Sequence, residues 1–385
     1  MGDQLEQLKK DREYVEEQNE KLLPRDLRKK RINKILLTVV FVLFNIGAIV
    51  VTGILDITRD SSSASDIQMQ DVNLFFLFAA FGCLALALFL ESLKYDVMMR
   101  GMLGRSNFKH AFEVAALGKY YDSVTPSGAG GQPFQIYYLR KAGYSAGVAG
   151  SLPVMGFLSM QVGFVILAVI AMIFGGSYLA ETLGDYASTL KAAGSVGILF
   201  YLFVPLAIIL FTIAPGQVTR FLRWGLRLLG KMHLVKNPDA KEAKMVESLS
   251  SYRSSVIEMV KIRFMIPKVL LIGILYQVAL CSIPFFVLRA FGSTHGYFAS
   301  FFITVYIYSS ITFIPTPGNA GAAEGIFYAC FSRMLSKYLF WAQMIWRFLS
   351  YYIFLLLGVG IYGFNAIQSR RRAAQAGRLP KSRDE

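Results

Sequence analysis

The chain has 385 residues, 55% of them apolar, and its 40 lysines and arginines outnumber 25 acidic residues for a formal net charge of +15. Several windows exceed eighteen mostly apolar residues, enough for helices to cross a hydrocarbon layer about 30 Å thick, which excludes a set of soluble domains. The charge does not call for nucleic acid, because the basic residues gather beside the apolar windows, where the positive-inside bias puts them.

Met1 to Lys34 is polar and ends in the run Arg25-Asp26-Leu27-Arg28-Lys29-Lys30-Arg31, so it reads as a cytoplasmic basic segment suited to an anionic membrane surface. This polar stretch before the first span also argues against a cleavable signal peptide. The first membrane repeat is expected over residues 35–175, with spans at about Ile35 to Ile57, Val72 to Leu93 and Val148 to Phe174. The loop after the first span carries Asp56, Asp60, Asp66 and Asp71 and is placed outside. Lys94, Arg100, Arg105 and Lys109 follow the second span and are placed inside.

Phe108 to Tyr121 is too short to cross, and a glycine-rich break separates it from Phe134 to Tyr138, with Arg140 and Lys141 beyond. Basic residues at both ends describe a re-entrant helical hairpin that enters and leaves on the cytoplasmic face. The third span is expected to exit toward an acidic outer loop with Glu181 and Asp185, and a fourth span, about Val196 to Ile213, returns. Residues 215–263 read as a cytoplasmic amphipathic insertion, with Arg220, Arg223 and Arg227 at helical spacing and Phe221, Trp224, Leu228 and Leu229 interleaved.

The second repeat, residues 192–214 and 264–367, continues with a span at about Phe264 to Leu288 and a short outer loop around Thr294-His295-Gly296. Phe298 to Ile314 enters, a second break turns it, and Ala322 to Met334 leaves, so this hairpin opens outside. The last span, about Tyr338 to Ile367, ends at Arg370-Arg371-Arg372, and residues 368–385 form a cytoplasmic tail. The fold class is therefore an all-α integral membrane protein. Six full spans and two re-entrant hairpins form an inverted-topology repeat, with both termini cytoplasmic in the cell membrane.

The two breaks share a pattern. Thr125-Pro126-Ser127-Gly128-Ala129-Gly130 and Thr316-Pro317-Gly318-Asn319-Ala320-Gly321 keep Thr, Pro, Ala and Gly in register about 190 residues apart. Proline ends a helix and small residues let the backbone turn closely before the next one. If the two tips meet near the midplane, each points a half-helix N-terminus, near Gly130 and Gly321, at one centre, where its N–H groups suit a phosphate or carboxylate. The plainer reading is that the small residues serve helix packing.

Asp122 before the first break, Glu324 after the second and Arg347 inside the last span are ionisable residues at membrane depth and so candidate functional groups. Glu324 and Arg347 also read as a structural ion pair. Lys119, Gln132, Gln135, Gln161, Gln277, Asn319 and Gln343 offer polar lining. Glu91, Lys94, Asp96 and Arg100 read as anchors snorkelling at the inner boundary, and Arg289 sits near the outer edge. The adjacent pairs Tyr120-Tyr121, Tyr137-Tyr138 and Tyr351-Tyr352 fit interfacial belts or a cation-stacking surface. Cys83, Cys281 and Cys330 lack metal or redox spacing, and hydrolase, zinc-protease and Walker motifs are absent, so no enzyme, metal or cofactor is expected.

The run from Tyr121 through Thr125-Pro126 to Phe134, the run from Pro315 through Asn319 and Glu324 to Gly325, and Trp346-Arg347 with Tyr351-Tyr352 resemble the lysylphosphatidylglycerol synthase transmembrane family, also called flippase-like. The likeness covers roughly Ile35 to Ile367. It implies a bacterial membrane protein related to the flippase half of the multiple peptide resistance factor, which moves lysyl-phosphatidylglycerol to the outer leaflet. It implies a substrate site at Glu324 and Arg347, with Thr125, Gly130, Gln132, Thr316 and Asn319 at the same centre; Asp122, Ser127 and Gly321 join them from the breaks themselves. The chain stops soon after its last span, so no aminoacyl-transfer activity is expected and the phospholipid substrate is left open. An ion-coupled carrier of a small anionic solute and a non-transporting partner protein are the rival readings; whether the protein forms a homodimer is not legible.

Overall fold

A computed structural model describes residues 72–376 apart from 106, 126, 127, 129, 214–215, 217–219, 221–223, 225–252, 255, 258, 313, 315, 317 and 336, together with the isolated positions 47, 50 and 54. By internal contacts the chain divides into residues 1–51 and 52–385. The described residues are helical, with no strand among them. The expected first span and the basic N-terminal segment lie outside the described residues save for those three isolated positions. So does nearly all of the amphipathic insertion, including Arg223, Arg227, Phe221, Leu228 and Leu229.

Helix α1 (Leu74–Leu103) starts where the Asn73 side chain accepts the Phe75 amide and stops at Gly104, whose φ of 66° closes the helix in the left-handed region. Asn107 caps α2 (Phe108–Val124) by accepting the His110 amide. After the first break come α3 (Gly131–Lys141) and α4 (Ala146–Leu183), the latter capped by Ser145 and ended by Gly184 at φ 56°. Helix α5 (Tyr186–Ile213) follows almost at once. The expected acidic outer loop is thereby corrected: Glu181 is still helical, and only a tight turn at Gly184 and Asp185 separates α4 from α5.

Helices α6 (Met265–Ala290) and α7 (Tyr297–Ile311) precede the second break, and α8 (Ala322–Phe331) follows it. The last span is interrupted: α9 (Leu339–Arg347) passes through a π-turn at Phe348–Tyr352 into α10 (Ile353–Ala376). Among the described residues, four segments are long and apolar enough to cross a membrane: Leu74–Leu103, Ala146–Leu183, Met265–Ala290 and Leu339–Asn365.

Helices α1 and α6 lie antiparallel. The Asn73 amide donates to the Ala290 carbonyl at 2.8 Å at one end, and a side chain at Gly101 would run into Met265 at the other. Small residues permit close crossings. A Cβ on Gly163 of α4 would lie 3.1 Å from the Gly273 carbonyl carbon of α6, and one on Gly273 would lie 2.7 Å from the Ser159 oxygen. Helix α2 folds back along α1, with Ala111, Val114 and Ala115 packed on Met98 and Met99. Helix α7 folds back along α6, with Tyr297 at 2.8 Å from Ser282. Since α1 and α6 run oppositely, so do α2 and α7.

Large apolar side chains lie on the outer surface, with Phe75 at 74% and Phe203 at 69% exposure, whereas Glu91, Lys94, Asp96, Glu113, Glu324 and Arg347 are buried. Lys94, fully buried, pairs with Glu91 at 2.7 Å and donates to the Gly156 carbonyl at 3.1 Å. This corrects the snorkelling expectation for Glu91, Lys94 and Asp96, which are all buried; Arg100 alone of the four is exposed, and it reaches back to Asp96 at 2.9 Å. In the insertion, Val256 and Met259 are buried beside Met98, Met99 and Met265, so its final turns pack against the helical core.

Candidate functional site

Helices α2 and α3 form a hairpin tied along its length. Tyr138 donates to Glu113, Gln135 Nε2 donates to the Val114 carbonyl at 3.0 Å, and the Gly131 amide donates to Asp122 Oδ1 at 2.9 Å. In the break, Thr125 Oγ1 donates to the Tyr121 carbonyl at 2.7 Å and accepts the Gly130 amide at 2.8 Å. A Cβ on Gly130 or Gly131 would collide with Thr125 or Asp122, so glycine is what lets these bonds form. Ser127 lies outside the described residues.

The second break turns through the left-handed region at Gly318, Asn319 and Gly321, with φ of 59°, 53° and 81°. Thr316 accepts the Asn319 amide on its carbonyl at 3.0 Å and donates its hydroxyl to the Ala320 carbonyl at 3.0 Å. Glu324 Oε2 accepts the Gly321 amide at 2.7 Å, while its Oε1 stands 2.6 Å from Arg347 Nε. Arg347 also donates from both terminal nitrogens to the Gly318 carbonyl at 3.3 Å.

The two breaks thus reach the same solution from opposite sides in sequence. Asp122 precedes its break and Glu324 follows its own, yet each carboxylate accepts the amide at the start of the next helix. A negative group there answers the partial positive charge of the helix end. The half-helix N-termini, expected to present open amides, instead hold the protein's own carboxylates at Gly131 and Gly321.

The π-turn adds a third wall. Along it, Arg347, Ser350, Tyr351 and Phe354 border one cavity. Tyr351 Oη donates to the Ser123 carbonyl at 3.3 Å, and its ring fills the space a side chain at Gly318 would need. The Arg347 guanidinium lies 4.6 Å from the same ring.

The cavity measures about 460 Å³. Both breaks reach it, through Asp122, Gly128 and Gln132 on one side and Gly318 and Asn319 on the other. Of the candidate residues, Asp122, Gln132, Asn319 and Arg347 border the space. Thr125, Gly130, Thr316, Gly321 and Glu324 sit behind it and hold the breaks in shape. Lys119, Gln135, Gln161 and Gln277 also line it; Gln343 does not, being fully buried with neither side-chain atom hydrogen-bonded among the described residues.

Sequence reasoning missed Glu91, Tyr276, Tyr308 and Ser350, which complete the lining. The one usable signal was the Glu91-Lys94 spacing, since an acid and a base three residues apart inside an apolar helix can neutralise each other and go inside. The aromatic pairs divide: Tyr351 is part of the cavity wall, whereas Tyr121 stacks on Phe134 at 3.6 Å and meets the Tyr362 hydroxyl at 2.6 Å.

A family model described as the lysylphosphatidylglycerol synthase TM region matches residues 31–358, a span that takes in both breaks, Arg347 and the π-turn. No curated protein matches the chain.

Proposed function

Because the chain belongs to the lysylphosphatidylglycerol synthase transmembrane-region family, we propose that it is a lipid translocase that passes a phospholipid headgroup between leaflets through the cavity between its two hairpins. The observation that carries this reading is the cavity itself: a polar, charged space bordered by two glycine-bent breaks in a molecule with large apolar side chains on its outer surface. Irregular backbone at membrane depth is tolerated only where it is buried or lines such a space. The opposed directions of α1 and α6, and of α2 and α7, support the inverted repeat with two re-entrant hairpins. Six spans, cytoplasmic termini and a place in the cell membrane complete the proposal.

In this mechanism the headgroup enters the cavity while the acyl chains stay in lipid. The ties behind the breaks keep the lining rigid, and the pairs Glu91–Lys94 and Glu324–Arg347 let the wall carry charge without a net field of their own. The test is reconstitution in liposomes with a fluorescent phospholipid and outer-leaflet quenching. Exchange faster than in empty vesicles is expected; exchange at the empty-vesicle rate across a broad lipid panel rejects the proposal.

A second reading, a carrier for a small anionic solute, is favoured by one observation: the volume falls in the range of about 300–1,000 Å³ typical of small-molecule sites. It predicts gradient-driven uptake of a soluble anion by the same vesicles, with no lipid exchange.

A further inference from the structure

Four charged side chains border the cavity: Glu91, Lys119, Asp122 and Arg347. Two are already neutralised, Glu91 by Lys94 and Arg347 by Glu324. Lys119 and Asp122 have no ion pair among the described residues. The Lys119 ammonium lies 5.0 Å from the Tyr276 ring centre and hydrogen-bonds that side chain, and Asp122 uses Oδ1 for the Gly131 amide, leaving Oδ2 without a donor among the described residues. The two residues are three apart on α2, so their Cβ atoms are about 5–6 Å apart on one face. What the wall holds without a contact ion pair is therefore one ammonium and one carboxylate oxygen, a helical turn apart and attracting each other across that gap.

We infer that Lys119 and Asp122 form a two-point seat for a phosphodiester whose alcohol carries its own O–H or N–H donors. The oxyanion goes to Lys119, close to Tyr276. Its donor-bearing end goes to Asp122, which repels a bare anion and so demands that end. Dimethyl phosphate, a phosphodiester with an oxyanion and no O–H or N–H, satisfies only the first point. A phosphocholine offers the oxyanion but no donor, and its methyl groups leave the carboxylate unanswered, which is costly in a desolvated space. The glutamines beside them, Gln132 and Gln135, add neutral hydrogen bonds without changing the charge demand. This rests on the lipid reading only for the source of the phosphodiester; the seat itself follows from the wall.

The experiment is native mass spectrometry of the full-length purified protein with short-chain phosphatidylglycerol, phosphatidylethanolamine and phosphatidylcholine, and with dimethyl phosphate as a separate arm. Wild type is expected to hold the glycerol and ethanolamine lipids at least about tenfold more tightly than the choline lipid, the usual worth of a charge-assisted hydrogen bond. Lys119→Gln is expected to lose that binding by at least about tenfold and Lys119→Arg to keep it. Asp122→Asn, which retains an acceptor for the Gly131 amide, is expected to erase the preference over choline. Equal binding of all three lipids by wild type, or unchanged binding by a monodisperse Lys119→Gln protein, overturns the inference. Dimethyl phosphate held as tightly as the glycerol lipid overturns the donor requirement at Asp122. Selective binding with no lipid exchange in vesicles keeps the seat and removes the translocase reading alone.

Discussion

Tyr351 joins the two breaks: its hydroxyl donates to the Ser123 carbonyl at the end of α2 at 3.3 Å, while its ring occupies the space beside Gly318. Tyr351→Phe removes the first contact and keeps the second. The loss of one neutral hydrogen bond predicts about 1 kcal/mol of stability. Thermal unfolding in detergent should show a small downward shift, and lipid exchange should change more than stability does if the strut sets the spacing of the tips. An unchanged melting curve together with unchanged exchange would show that the bond is dispensable.

Gly318→Ala attacks the same junction from the other side. Its φ of 59° is unfavourable for a side chain, and a Cβ there would meet the Tyr351 ring. Strain and overpacking together predict a loss of about 1–3 kcal/mol. Pairing it with Tyr351→Ala, which empties the space, should recover part of that loss, and a non-additive double-mutant cycle is the measurement.

Glu324→Gln leaves Arg347 buried without its carboxylate, and breaking such a pair costs roughly 3–5 kcal/mol. Glu324 is 1% exposed and Arg347 4%, so water does not replace the partner. Expression and melting temperature should fall sharply for the single variant and recover in Glu324→Gln with Arg347→Met. Lost exchange in the recovered double variant would mean that the pair serves transport; retained exchange would mean that it serves the fold.

The helices were legible because apolar runs are local; their caps emerge only with the structure. Asn73, Asn107 and Ser145 each stand at a helix start as their short polar side chains require. The breaks were legible because proline and glycine punctuate whatever surrounds them. Depth was not. Glu91 and Lys94 lie in a span whose edge was set by hydropathy, and hydropathy cannot say that a hairpin from α2 and α3 covers that edge and turns the pair inward. The π-turn was hidden for a different reason: one extra residue in a helical turn leaves composition unchanged. The occupied helix ends were half visible, since Glu324 is three residues past Gly321, the spacing of a capping box, whereas Asp122, still inside α2, reaches a residue nine positions on, across the break.

Gly273→Val tests the crossing of α4 and α6. A Cβ at this position would already stand 2.7 Å from the Ser159 carbonyl oxygen, so a branched side chain must part the two helices. The expected cost is about 1–3 kcal/mol or more, as for overpacking in a close-packed interior. Gly82→Val in α1, where nothing lies within 4 Å of the added carbon, is the control and should be tolerated.

The opposed hairpins make a prediction about sides. Lys141 ends α3 and Thr294 precedes α7, and both are exposed. If α2–α3 opens to the cytoplasm and α7–α8 to the outside, a cysteine at each position meets a membrane-impermeant maleimide from opposite faces. The native thiols do not confuse the result: Cys281 and Cys330 are buried, Cys83 is half-buried in α1, and all three are replaceable by alanine for certainty. In intact cells Thr294→Cys should label and Lys141→Cys should not, and after permeabilisation both should label. Labelling of both from one side would place the two tips on the same side of the membrane. The cavity would then have no route across the bilayer, and the translocase reading would fall even with every contact described above in place.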